Sequence, residues 1–236
     1  MLNMESEYSY KVVLNPRAKR LSFSISPVDG LSIIMPRQLS DKYVKKMLRK
    51  YNSWIKQQLK KIEPQQKQFA KYKFQHYGNT ILHGLPHELN ISTGTRKIEI
   101  IDNVVNISNQ SIATRDIKKL YFSWIKRTAR DNLKQKLDNY SEQMNVKYRR
   151  LSIRGQKTMW GSCSQQGSIS MNWKLMCAPI YAQDYVVIHE LSHINHLNHS
   201  KSFWKLVNQH TDNATISKNW LKRYGDLIQF VTSQYS

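Results

Sequence analysis

The chain has 236 residues, 40% of them hydrophobic and 22% charged, a balance that excludes a largely disordered polypeptide and leaves room for one large domain or two small ones. It contains no apolar run of about eighteen residues, so no membrane span is expected. The formal net charge of +21 is uneven: residues 151–236 hold 8 Lys/Arg against 4 Asp/Glu, which leaves +17 to residues 1–150.

A basic excess of that size attracts polyanions such as nucleic acid. The alternative is a lysine-rich composition whose ammonium groups lie solvated on exposed helix faces. Met1 to Tyr10 carries acids and no apolar block, so it is not read as a secretory signal. Cys163 and Cys177 are too few for a disulfide framework, and a reducing, cytoplasmic setting is expected.

In chain order, Tyr10–Leu14, Leu21–Ser26 and Leu31–Met35 read as strands, the last two joined by the hairpin signal Asp29-Gly30. Ser40-Asp41 opens one amphipathic helix to about Lys61, with Val44, Leu48, Ile55 and Leu59 on its apolar stripe and lysines elsewhere. Residues 63–73, around Pro64, read as a linker. Short strands follow at 74–77, 80–83, 87–91, 97–101 and 104–107, suggesting a meander or barrel-like sheet that continues the first hairpin. His76, His83 and His87 fall on separate strand ends and are not expected to share an ion. A long helix spans Thr114 to about Asn145. Tyr148–Ile153 is a strand, 155–164 a loop and Ser168–Trp173 a strand again. Pro179 precedes a helix from Tyr181 to about His196.

That last helix carries the chemistry. His189-Glu190-x-x-His193 sets two imidazoles four residues apart, on one helix face, with a carboxylate beside the first. Such a pair can hold one metal ion while the glutamate handles the proton of an attacking water. A catalytic zinc takes three protein ligands, so a third is needed. On a continuing helix His196 would stand roughly 10.5 Å along the axis from His189, too far to converge easily on one ion. His199 lies past the expected helix end, where Asn198 tolerates a left-handed turn that would fold the chain back. His199 is therefore the expected third ligand.

Arg154-x-x-Lys157-x-x-Trp160-Gly161-Ser162-Cys163-Ser164, Asn172-Trp173, Asp184 through His193, and Asn198-His199-Ser200-x-x-Phe203-Trp204 together resemble the YgjP-like metallopeptidases, a zincin-like family related to the SprT and WLM types. The resemblance covers residues 148–205 closely, with Met159 where the family often has arginine. It extends loosely to Arg20, Gly30 and Pro36. It implies zinc (Zn2+) on His189, His193 and His199, Glu190 as the catalytic acid and base, and a protein or peptide substrate. With the element pattern above, this gives an expected α+β fold, in which a zincin-like helical catalytic domain with a small antiparallel sheet (111–236) follows a β-rich basic domain containing one amphipathic helix (1–110). Nucleic acid is a further candidate partner, through the basic N-terminal half. By the same likeness the strand 168–173 would receive an extended peptide along its edge, with Asn172 orienting substrate or a ligand. Trp160, Trp173 and Cys163 are read as packing residues. Arg154, Lys157, Tyr185, His196 and Tyr224 are the candidates for stabilising an oxyanion. Two other functions fit the residues: hydrolysis of a phosphate substrate at the same metal, and non-catalytic nucleic-acid binding.

Overall fold

The computed structural model describes residues 8–236; most of the opening acidic stretch, residues 1–7, lies outside the described residues. The chain packs as two compact units, Met1–Lys71 and Tyr72–Ser236.

In the first unit, β1 (Tyr10–Leu14), β2 (Ser22–Ser26) and β3 (Gly30–Met35) form a sheet of order β1-β3-β2. The hairpin turns at Gly30, whose φ of +66° is readily available to glycine. β3 is central and pairs antiparallel with β2 and parallel with β1, a crossover invisible to local pattern. Alternation puts Leu31, Ile33 and Met35 on one face, and Val44, Leu48 and Ile55 of two helices complete that core. The single helix expected to Lys61 is two: α1 (Asp41–Lys50), capped by the Ser40 hydroxyl, and α2 (Asn52–Phe69), with the break at Tyr51. The expected linker, 63–73, is helical as far as Phe69. Pro64 lies inside this helix, where it donates no backbone hydrogen bond, on an exposed stretch where Glu63 pairs with Lys67.

In the second unit, β4 (Asn79–Leu82), β5 (Leu85–Thr93), β6 (Lys97–Ile101) and β7 (Val104–Asn109) form an open sheet of order β4-β5-β7-β6, with β5 and β7 parallel. It is a separate sheet, neither a meander nor a barrel continuing the first hairpin. Residues 74–77 make a turn instead of a strand. Tyr77 is left-handed (φ +55°), and Gly78 lies so close to the Lys73 carbonyl that a Cβ would stand 1.9 Å from it. By packing, this sheet groups with the helices that follow it. The His83 and Gly84 amides donate to the Met176 and Cys177 carbonyls, and Gly84 abuts Pro179, where a Cβ would come within 2.6 Å. The β4–β5 turn is thereby seated at the start of the motif-bearing helix.

α3 (Thr114–Gln143) buries Ile117, Tyr121, Ile125, Ala129, Leu133 and Leu137, a stripe at strict four-residue spacing. A second sheet has order β8-β10-β9, from β8 (Arg150–Arg154), β9 (Gly161–Cys163) and β10 (Ser168–Asn172). β8 runs parallel to β10, so the sheet is mixed where an antiparallel one was expected, and β9 lies inside the expected loop. A short 3-10 turn (Trp173–Cys177) leads to α4 (Ile180–Asn195), α5 (Lys201–His210, capped by Ser200) and α6 (Ala214–Ser233). The fold is α+β, as expected. No described helix is long and apolar enough to cross a membrane.

Candidate metal centre

α4 is buried on most of its circumference, which fixes its rotation and hence the direction of its polar side chains. Near its N-terminal end, Asp184 pairs with Lys136 of α3 at 2.6 Å, half-buried, and buried Gln183 donates to the Ala178 carbonyl. On the helix thus held, the rings of His189 and His193 lie 5.0 Å apart.

The helix ends at His196, whose backbone is extended (φ −135°, ψ 101°). Asn198 is not among the residues of positive φ, so the expected left-handed turn is absent. The reversal is achieved by extending at His196 and bending through Leu197 and Asn198. It brings His199 back to the helix. One nitrogen from each of His189, His193 and His199 lies within 4.8 Å of the others, the only such cluster of metal-type donors among the described residues.

The arrangement suits an ion. The Nε2 atoms of His189 and His199 are 3.1 Å apart, and two nitrogens on one tetrahedral zinc, each about 2.0–2.1 Å from it, stand roughly 3.3 Å apart. His193 Nδ1 is 3.0 Å from the His196 carbonyl; as a donor to it, the ring keeps its Nε2 lone pair free. His189 Nδ1 is buried without a hydrogen-bond partner, which leaves its Nε2 as the nitrogen facing the cluster. Burial pushes His189 down to about 4, helped by the nearby His193 and His199 rings, and burial also lowers His193. Both rings are then neutral at pH 7, the state that offers a lone pair. Buried Phe203 supports all three rings at 4.6–4.9 Å, and Trp204 stacks on His199 at 5.8 Å. His196 stays outside the trio and contributes its carbonyl.

Glu190 lies in the wall of an adjoining cavity of about 370 Å³, shared with His189, Tyr185 and Trp160. It is 5% exposed, and burial alone pushes its carboxyl up to about 8. Gly161 of β9 is pressed against it: a Cβ there would stand 2.6 Å from Oε1.

Other expectations change. β10 is the central strand of its sheet, with a ladder on each side, so it offers no free edge. The edge beside α4 is β9. Asn172 is 1% exposed and structural: Nδ2 donates to the Gln156 and Met159 carbonyls, Oδ1 accepts from the Lys174 amide, and the loop before β9 is tied down. Trp173 is core, whereas Trp160 lines the cavity. Cys163 lies outside the metal-type cluster; its thiol is pushed up to about 11 by burial and by Glu190. Of the five oxyanion candidates only Tyr185 lines the cavity. His76, His83 and His87 have separate partners in the Ile91 amide, Gln183 and the Leu85 carbonyl. Missed altogether were Gly161 as the neighbour of Glu190, and Lys218 and Lys222 of α6 at the cavity. No local signal marks them, because both contacts are tertiary.

No curated protein matches the sequence. Among solved structures, the metallopeptidase zymogen abylysin of Pyrococcus abyssi is similar over part of the chain, at 20% identity and a TM-score of 0.35, covering 39% of this chain and 93% of that one. A match to the YgjP-like metallopeptidase domain runs from residue 19 to residue 224, through both compact units and the whole histidine cluster. A match of that extent settles the kinship: the chain belongs to the YgjP-like metallopeptidase family.

Proposed function

We propose that the protein is a zinc-dependent peptidase in which His189, His193 and His199 hold the ion and Glu190 carries the proton. The observation behind this is the convergence of three imidazole nitrogens within 4.8 Å beside a cavity whose wall contains a buried glutamate. When bound, the ion supplies Lewis acidity toward the scissile carbonyl and lowers the pKa of the attacking water. Glu190 takes the proton from that water and hands it to the departing amine nitrogen as the C–N bond breaks. Its burial favours the protonated form, so the proton taken from the water is held for delivery to the amine. Tyr185, on the cavity wall, is the donor for the developing oxyanion. The outer edge of β9 receives the substrate backbone by strand addition. The two cysteines, both unpaired, fit a cytoplasmic setting.

Zinc-loaded protein incubated with unfolded casein, and separately with nucleoside triphosphates, tests the reaction class. New peptide termini are expected. Phosphate release without them would overturn the proposal in favour of a phosphohydrolase. The +17 of residues 1–150 supports docking on nucleic acid. Binding of the full chain to DNA or RNA should then weaken steeply with salt, and salt-insensitive binding would assign the charge to composition.

A further inference from the structure

The cavity beside Glu190 is larger than proton transfer requires. At about 370 Å³ it has room for a side chain, and it is walled by Met159, Trp160 and Leu221 together with two cations, Lys218 and Lys222. The lysines are one turn apart on α6, where like charges repel. Neither is in an ion pair with any described residue; Lys218 Nζ lies 5.6 Å over the Trp204 ring, and Lys222 is exposed at the cavity. The only carboxylate in the wall is Glu190. An apolar throat with unneutralised cations at its side matches a ligand with an apolar stem and an anionic end.

Position decides which part of the substrate that is. Glu190 delivers its proton to the leaving nitrogen, which belongs to the residue following the scissile bond. The side chain nearest the cavity is therefore that residue's. We infer that this cavity, with Lys222 as its selecting cation, takes a carboxylate-bearing residue directly after the cleaved bond, either an acidic side chain or a free chain end. The inference rests on the peptidase proposal.

Two readouts keep the two apart. The first is kcat/KM of the zinc-loaded chain on peptides with Glu, Gln or Lys after the bond, and on peptides whose Gln there ends in a free acid or an amide. The second is calorimetric binding of the same peptides to zinc-loaded Glu190→Gln, which needs no cleavage. Glu over Gln by about tenfold assigns the carboxylate to the side chain; free acid over amide by a similar factor assigns it to the chain end. Lys222→Gln should erase the preference, and Lys222→Glu should invert it toward Lys. Binding that does not distinguish these peptides, or a preference that survives Lys222→Gln, would overturn the inference. Binding selectivity without hydrolysis of any peptide would overturn the peptidase proposal and leave the carboxylate site standing.

Discussion

Gly161→Ala is the substitution whose effect follows most directly from the geometry. Gly161 lies on β9 opposite Met171, with its Cα facing the Glu190 side chain. A Cβ at 161 would stand 2.6 Å from Glu190 Oε1, 2.7 Å from Cγ and 2.8 Å from Cδ, where ordinary contact begins at 3.4 Å. The carboxyl must withdraw by about 0.8 Å. A displacement of about 1 Å at a reacting group costs on the order of a hundredfold. The expected result is a kcat/KM on a quenched fluorescent peptide lowered about a hundredfold, with zinc content unchanged, because the three imidazoles are untouched. Gly225→Ala is the control: its Cβ meets only Trp160, at 3.5 Å, and its activity should match wild type. Wild-type kcat/KM in Gly161→Ala would refute the placement of Glu190 as the proton carrier.

Four further outcomes rest on the same geometry. Asn172→Ala removes two bonds to the loop before β9 and the cap on the Lys174 amide, and should lower unfolding free energy by about 1–3 kcal/mol in denaturant titration. In the metal-free chain Glu190 is raised from 4.5 to about 8, so its contribution is intact below pH 4.5 and is lost as pH rises through 8; Glu190→Gln should flatten that loss, which is at most on the order of 4–5 kcal/mol. His189 has the opposite limb: lowered from 6.5 to about 4, it gives stability present above pH 6.5 and lost as pH falls toward 4, and His189→Gln should remove that acid slope from pH-dependent unfolding curves. His199→Ala should lose zinc by mass spectrometry of the purified protein while His196→Ala retains it; the reverse would replace the third ligand.

Sequence patterns exposed whatever depends on local repetition. The buried stripe of α3, the alternation of Ser168–Asn172 and the H-E-x-x-H spacing on α4 each reflect a face turned to a core, and each shows in the residues themselves. The parallel pairings β1–β3, β5–β7 and β8–β10 do not, since each skips the strand between its partners and no local pattern marks such a crossover. β9 escaped because three residues show no period, although it supplies both the free edge and the neighbour of Glu190. His199 was legible as the third histidine for a sound reason, the axial reach of a helix, but the turn behind it was not. Asn198 has the residue type for a left-handed bend, and extended His196 does the work. Lys218 and Lys222 read as ordinary helix-surface lysines until α6 is laid against α4.

In the proposed reaction the histidine trio and Glu190 together cleave peptide bonds. It is tested most directly by incubating zinc-loaded wild type and Glu190→Gln with one unfolded protein, then counting new termini by mass spectrometry alongside zinc content. Equal zinc is expected in both proteins, with cleavage by the variant about 10²–10⁴-fold below that by wild type. Equal cleavage by the two proteins at equal zinc content would contradict it.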